Sequence, residues 1–271
     1  MEFKELEKNW NQLGKNDPFW AILSDPAKKG GKWDINEFFE SGRKSIPMLM
    51  AEIGSLGVDL QRRRALDFGC GAGRLTQALC EHFDEVSGVD IAESMIELAS
   101  QYNKYGERCK YYLNKKEDLR IFENDSFDFV ISIIVLQHMR PEYSKNYIKE
   151  FMRVLAPGGL AFFQIPGNVK PEFIAPARSD APSNQPTFLD RFFHAISVLG
   201  RKVLGRKTSS AETKDPPKTD PVPDEARIEM YGIPKDEVLG ILKINGEVIR
   251  VAENAWAGKA WDSYSYFVRK K

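Results

Sequence analysis

Three glycines at alternate positions, Gly69, Gly71 and Gly73, separate an apolar run from a helical pattern. The run begins at Ala65 and carries an acid, Asp67. The helical pattern follows at once in Leu75, Ala78 and Leu79. This reads as a buried strand, a tight glycine turn and the start of a helix, a geometry that brings backbone amides close to a ligand. A second strand pattern, Val86-Ser-Gly-Val-Asp90, also ends in an acid. A carboxylate at that place can accept both hydroxyls of a ribose. The two features together restrict the chain to an open α/β fold with a nucleoside-binding edge.

The rest of the pattern agrees. Strand-like stretches lie near 64–68, 85–90, 109–114, 127–134, 159–165, 247–252 and 262–269. Helix-like stretches lie near 73–82, 92–104, 141–155 and 234–244. Strands alternating with helices imply parallel pairing through right-handed crossovers. The expected architecture is a three-layer, Rossmann-like α/β sandwich. Its seven-stranded sheet is mostly parallel, with an antiparallel last strand. Residues 1–60 read as a helical N-terminal cap that holds Trp10, Trp20 and Trp33, and residues 61–166 as the binding core. Nine of the fifteen prolines fall between Pro166 and Pro223, which marks 167–225 as an insert. Residues 226–271 then complete the sheet. Within the insert, 188–207 has the pattern of a basic amphipathic helix, read either as a substrate cover or as a peripheral membrane contact.

Charge narrows the partners. Lys+Arg and Asp+Glu both count 39, so no global basic field draws in a nucleic acid. The three cysteines, Cys70, Cys80 and Cys109, show neither metal-ligand nor disulfide-framework spacing, so no metal is expected and a reducing cytoplasm fits. The N-terminal residues are charged and lack an apolar signal core. The longest apolar run, Phe129 to Leu136, is far too short to span a bilayer.

The glycine loop discriminates between cofactors. The nicotinamide pattern G-x-G-x-x-G needs a third glycine where this chain has Arg74. Asp67 beside the loop would repel a pyrophosphate and attract an ammonium or sulfonium group. S-adenosylmethionine carries both groups, and a ribose for Asp90. At this point the chain resembles the class I S-adenosylmethionine-dependent methyltransferases. The resemblance rests on LDFGCGAG (66–73), GVDIAESMIELA (88–99), YLNKKEDL (112–119), SFDFVISIIVLQHM (126–139) and RVLAPGGLAFFQIP (153–166), in the family's order and spacing. The wording of WAILSDPAKKGGKWD and EMYGIPKDEV is similar to bacterial methyltransferases of the polysaccharide and glycolipid type.

The resemblance implies roles for particular residues. Gly69, Gly71 and Gly73 would contact the cofactor, with Asp67 near its amino group and Asp90 on the ribose. Ile91 and Met95 would pack on adenine or ribose, though a methionine on a helix equally serves the core. The adenine edge is shared among Asn114, Asp118 and Leu119. A backbone carbonyl near Ile133 would face the sulfonium. Arg43 would pair with the methionine carboxylate, under a cover of Trp33 or Phe39. His138 is the candidate base, with packing or capping as its ordinary alternative. The strand end reads Ile133-Ile-Val-Leu136 and lacks an Asn-Pro-Pro-aromatic sequence, which favours oxygen or carbon acceptors over amino groups. The implied activity is methyl transfer to a small-molecule, saccharide or lipid-linked acceptor. A nicotinamide-dependent oxidoreductase and a non-catalytic cofactor-binding subunit are the alternatives.

Overall fold

The computed structural model describes residues 1–173 and 228–271. The stretch 188–207, and with it the membrane-contact reading, lies outside the described residues. Seven strands form one sheet: β1 (Arg64–Phe68), β2 (Glu85–Asp90), β3 (Cys109–Leu113), β4 (Phe127–Ser132), β5 (Leu155–Val169), β6 (Gly246–Asn254) and β7 (Trp261–Lys270). Their spatial order is β3-β2-β1-β4-β5-β7-β6. The pairs β1–β2, β2–β3, β1–β4 and β4–β5 are parallel. The last strand, β7, inserts between β5 and β6 and runs antiparallel to both. This is the expected sheet.

Strand periodicity sorts the side chains to two faces. Leu66, Val130, Phe163 and Tyr266 point to one face and join one apolar cluster. Their neighbours Ala65, Phe129, Phe162 and Phe267 join a second cluster on the opposite face. Helix α6 (Pro141–Val154) covers the first face with Ile148 and Phe151. There α1 (Phe3–Asn16) adds Phe3 and Leu6, and α7 (Lys235–Leu242) adds Val238 and Leu242. The second face is covered by Ile46, Leu49 and Ile53 of α3 (Ile35–Ser55) and by Leu75 and Leu79 of α4 (Arg74–Leu79). Helix α2 (Pro18–Ile22) lies between α1 and α3 in sequence, and α5 (Glu93–Gln101) follows β2. Among the described residues no helix is long and apolar enough to cross a membrane.

The chain runs from β1 outward to β2 and β3, then returns to β4 on the other side of β1. The carboxyl ends of β1 and β4 therefore diverge into a crevice at the point where strand order reverses, the place where open α/β sheets bind ligands. Two close contacts bring the N-terminal helices over it. Ser94, in the first turn of α5, donates its N–H to Asn11 Oδ1 and its hydroxyl to the Asn11 carbonyl, both at 3.0 Å, so α1 caps α5. Helix α3 crosses α4 at Gly42, where an added Cβ would fall on the Arg74 carbonyl oxygen. Both sides of that contact are helix backbone, so neither can yield cheaply. Gly42→Ala should lower the unfolding free energy by about 1–3 kcal/mol. Denaturant titration checks this, and an unchanged midpoint would show that α3 does not pack on α4 at this distance.

Candidate functional site

The site begins where β1 ends. Gly69 takes φ +75°, and a Cβ there would drive into both methyl groups of Val135. Gly73 takes φ +84°, and a Cβ there would strike the Tyr111 hydroxyl. Positive φ and close approach together require glycine at these two places. The loop's own amides, however, are used internally. Gly69 N–H and Cys70 N–H donate to the Val89 carbonyl at 2.8 and 3.1 Å, and Gly73 N–H donates to the Cys70 carbonyl at 3.0 Å. Gly71 N–H donates to Asp90 Oδ2 at 2.9 Å. The expectation that the loop presents its amides to a ligand is corrected for these four groups, because the end of β2 satisfies three of them and the Cys70 carbonyl the fourth.

Two acids flank the loop. Asp67 is 2% exposed and accepts a 2.7 Å hydrogen bond from the Thr76 hydroxyl. Burial pushes its carboxyl up to about 6, against the Thr76 hydrogen bond and the nearby Arg74 charge, which pull it down. Asp90 ends β2. Its Oδ1 accepts from Ala92 N–H at 2.9 Å while Oδ2 holds Gly71 N–H. Burial raises its pKa, and these amides oppose the rise.

The end of β4 forms the opposite wall. Ile134 sits at φ +57°, a region a β-branched residue rarely enters. It is held there by the wholly buried Gln164 of β5, whose Oε1 accepts the Ile134 N–H at 3.2 Å. Gln164 Nε2 donates to Gln137 Oε1 at 3.1 Å and to Ser263 Oγ at 2.9 Å. His138 follows in a short 3-10 turn, Leu136–His138. Its Nδ1 lies 2.8 Å from the Glu229 carbonyl, which can only accept, so Nδ1 carries the proton. Burial lowers its pKa to about 4, so the ring is neutral at pH 7 and Nε2 is unprotonated. That nitrogen accepts from Gln137 Nε2, 3.4 Å away. Trp10 of α1 lies against the imidazole, ring centroids 5.4 Å apart.

These walls enclose a cavity of about 1140 Å³. Asp67, Gly69, Gly71, Asp90, Ile91 and Met95 line it, as do Asn114, Ile133, His138 and Arg43. Three candidate residues are not in its wall. Gly73 is turned to Tyr111. Asp118 accepts from Arg120 N–H and pairs with that side chain, and Leu119 is wholly buried in the core. Asn114 reaches the cavity, but its Nδ2 donates to the Asp118 carbonyl at 2.6 Å and so shapes the 114–118 loop. Arg43 lines the rim and pairs with Glu40 at 2.8 Å. Trp33 is in the wall, fixed by its Nε1 donating to the Leu23 carbonyl at 3.0 Å, whereas Phe39 packs below with Phe38 and Ala72. Sequence reasoning missed Trp10, Ile22, Val135 and Arg74, all of which line the cavity. The spacing Phe3, Leu6, Trp10, Leu13 is that of one helix face and was the available signal for Trp10. Among the described residues no cluster of three or more His, Cys, Asp or Glu is arranged to hold a metal.

Residues 65–159, from β1 into β5, match a family described as a methyltransferase domain. Residues 65–159 thus carry a methyltransferase domain. The chain is 29% identical over 132 residues to the ubiquinone biosynthesis O-methyltransferase of Bordetella avium, covering 48% of this chain and 54% of the relative. The enzyme of the same name from Idiomarina loihiensis is 32% identical with the same coverage. The matched region thus spans about half the length of these curated relatives. In fold, the methyltransferase domain and its flanking helices are similar to magnesium protoporphyrin IX methyltransferase from Synechocystis, solved with bound S-adenosylhomocysteine. That likeness has a TM-score of 0.58 at 16% identity and covers 99% of both chains. The glycine loop, both acids and His138 lie inside the matched domain; Trp10, Arg43, Gln164 and Glu229 lie outside it.

The buried neutral imidazole sets a sign for pH dependence. The folded pKa of His138 lies below the ordinary 6.5, so its contribution to stability is full above pH 6.5 and is lost as pH falls toward about 4. His138→Gln should remove that dependence. Thermal midpoints measured from pH 7 to 4 should fall more steeply for the native protein than for the variant, and parallel curves would show that the ring is not buried neutral.

Proposed function

We propose that this chain transfers the methyl group of S-adenosylmethionine to an oxygen of a small acceptor bound in the same cavity. The observation that carries the reading is the pairing of Asp67 and Asp90 around a loop whose Gly69, Cys70, Gly71 and Gly73 amides are already satisfied. Such a loop offers those groups to no pyrophosphate, which argues against a nicotinamide dinucleotide. Asp90 fits a ribose diol, and Asp67 fits an ammonium group. At about 1140 Å³ the cavity exceeds the roughly 300–1,000 Å³ of a typical single-ligand site, so a cofactor and an acceptor fit together.

Oxygen as the receiving atom is supported by the names of the curated relatives, which are O-methyltransferases. It is supported again by the strand end Ile133-Ile-Val-Leu136. Beyond Ile133 the wall is built from Ile46, Leu49, Phe162 and Trp256. Apolar walls reward apolar surface, at about 25 cal/mol per Å². A hydroxyl compound with a ring or lipid body therefore suits this wall better than a free saccharide does.

The cofactor supplies an activated methyl group and leaves as a neutral thioether. The protein's part is alignment, exclusion of water and removal of one proton. Trp10 and Trp33 wall the cavity. His138 has its Nδ1 proton fixed on Glu229, so its unprotonated Nε2, which faces the Gln137 amide at 3.4 Å, is the acceptor for the hydroxyl proton once the acceptor's hydroxyl replaces that contact. A weakly basic imidazole suffices, because a hydroxyl turns strongly acidic as its oxygen gains the methyl group. No residue is needed to protonate the leaving group.

Calorimetric titration with S-adenosylhomocysteine and with a nicotinamide dinucleotide tests the reading. Only the first should bind, and Asp90→Ala should remove most of that affinity. Because the Asp67 carboxyl titrates at about 6, affinity should fall as pH drops from 7 to 5. Asp67→Asn should bind roughly tenfold to a hundredfold more weakly at pH 7, with little pH dependence over that range. Turnover is then scored with methyl-labelled cofactor and hydroxylated aromatic or lipid acceptors. Tight binding with no labelled product across such a panel would favour a non-catalytic subunit, and preference for the dinucleotide would end the proposal.

A further inference from the structure

We propose that Arg74, rather than Arg43, binds the carboxylate of the cofactor's methionine tail. The inference rests on the cavity being an S-adenosylmethionine site. Arg74 opens α4 directly after Gly73, at the place where a dinucleotide loop would carry glycine. Its backbone is pinned by the close approach of Gly42 on α3, and its side chain lines the cavity. Nη1 donates to Ser41 Oγ at 3.2 Å. Nε is buried and has no hydrogen-bond partner among the described residues. Arg74 makes no ion pair with any described residue, whereas Arg43 is paired with Glu40 and its side chain is 37% exposed. Arg74 is half-buried, its inaccessible Nε has no acceptor and no carboxylate of the described residues is within ion-pair distance, while an Arg fork is shaped for a carboxylate. Burial lowers the Arg74 pKa to about 10, and the charge that opposes this is Asp67.

The neighbouring groups explain why an amino-acid head fits. Thr76, two residues beyond Arg74 on the same short helix, holds Asp67 by its hydroxyl. The first turn of α4 therefore sets an acid and a base beside one another at the end of β1, both in the cavity wall. A zwitterion with its ammonium toward Asp67 and its carboxylate toward Arg74 satisfies both. The other cationic side chains of the wall are less suited: Lys44 is exposed and His138 is neutral.

The test compares two nucleosides on the full chain by calorimetry: S-adenosylhomocysteine, and 5′-methylthioadenosine, which lacks the amino-acid head. Arg74→Met should weaken the first roughly tenfold to a hundredfold and leave the second within twofold. Arg74→Gln, which keeps a donor for Ser41 without the charge, should give the same selective loss and serves if the Met variant does not fold. Arg43→Met should change neither. An equal loss for both nucleosides, no loss for either, or a selective loss in the Arg43 variant would each overturn the assignment while leaving the cofactor reading intact. Failure of the native protein to bind either nucleoside would overturn both.

Discussion

The Asp90 carboxylate organises the nucleotide side of this molecule. One oxygen takes the Gly71 amide and the other takes the Ala92 amide, so a single side chain at the end of β2 fixes both the glycine turn after β1 and the entry to α5. The turn is thereby closed on itself. Four of its amides no longer serve as an anion cradle, and two carboxylates flank it. This inverts the usual logic of a glycine-rich loop, which recruits phosphate through free N–H groups. Here the loop's contribution is shape, and the acids supply the charge. A ligand that enters must bring hydroxyl donors and positive charge, and S-adenosylmethionine has both.

The acceptor side depends on a second constraint, which the methyltransferase domain does not contain by itself. Ile134 is held in the left-handed region by Gln164, and Gln164 is itself fixed by Gln137 and Ser263. Ser263 belongs to β7, and its hydroxyl continues to Asn254 of β6 at 2.7 Å. The backbone returns to the same turn through Tyr231 N–H, which donates to the Gln137 carbonyl at 2.7 Å. Strain of this kind persists only where the surroundings over-determine it. The C-terminal strands therefore position the loop that carries His138, and the site spans the matched domain and the segment beyond it.

What was legible in the sequence follows from range. Alternation within strands and the break into glycines are local signals, so β1, β2 and their two acids could be read directly. The end of β4 could not, because a left-handed Ile134 is imposed by an amide thirty positions away in the chain. Asp118 and Leu119 sat in the right segment, yet the 114–118 turn closes on Asn114 and directs them to Arg120 and to the core. Arg43 and Arg74 have the same chemistry in sequence. They differ only in what surrounds them: a surface ion pair for one, and the packed contact between two helices for the other. Pairwise burial of this kind leaves no trace in spacing.

The cap's role follows from the same packing. Helix α1 is tied to α5 through Asn11 and Ser94, and α5 starts just after Asp90. Trp10, one residue before that tie, lies against His138. A displacement of α1 would be felt at two places in the cavity wall, at Asp90 through α5 and at His138 through Trp10. Helix α3 is anchored in the same way on α4, beside Asp67. The two N-terminal helices thus grip α4 and α5, whose first turns touch Asp67 and Asp90. The α1 tie runs through the short Asn11 and Ser94 side chains, each bonded to backbone of the other helix, and the α3 contact is backbone against backbone at Gly42 and Arg74.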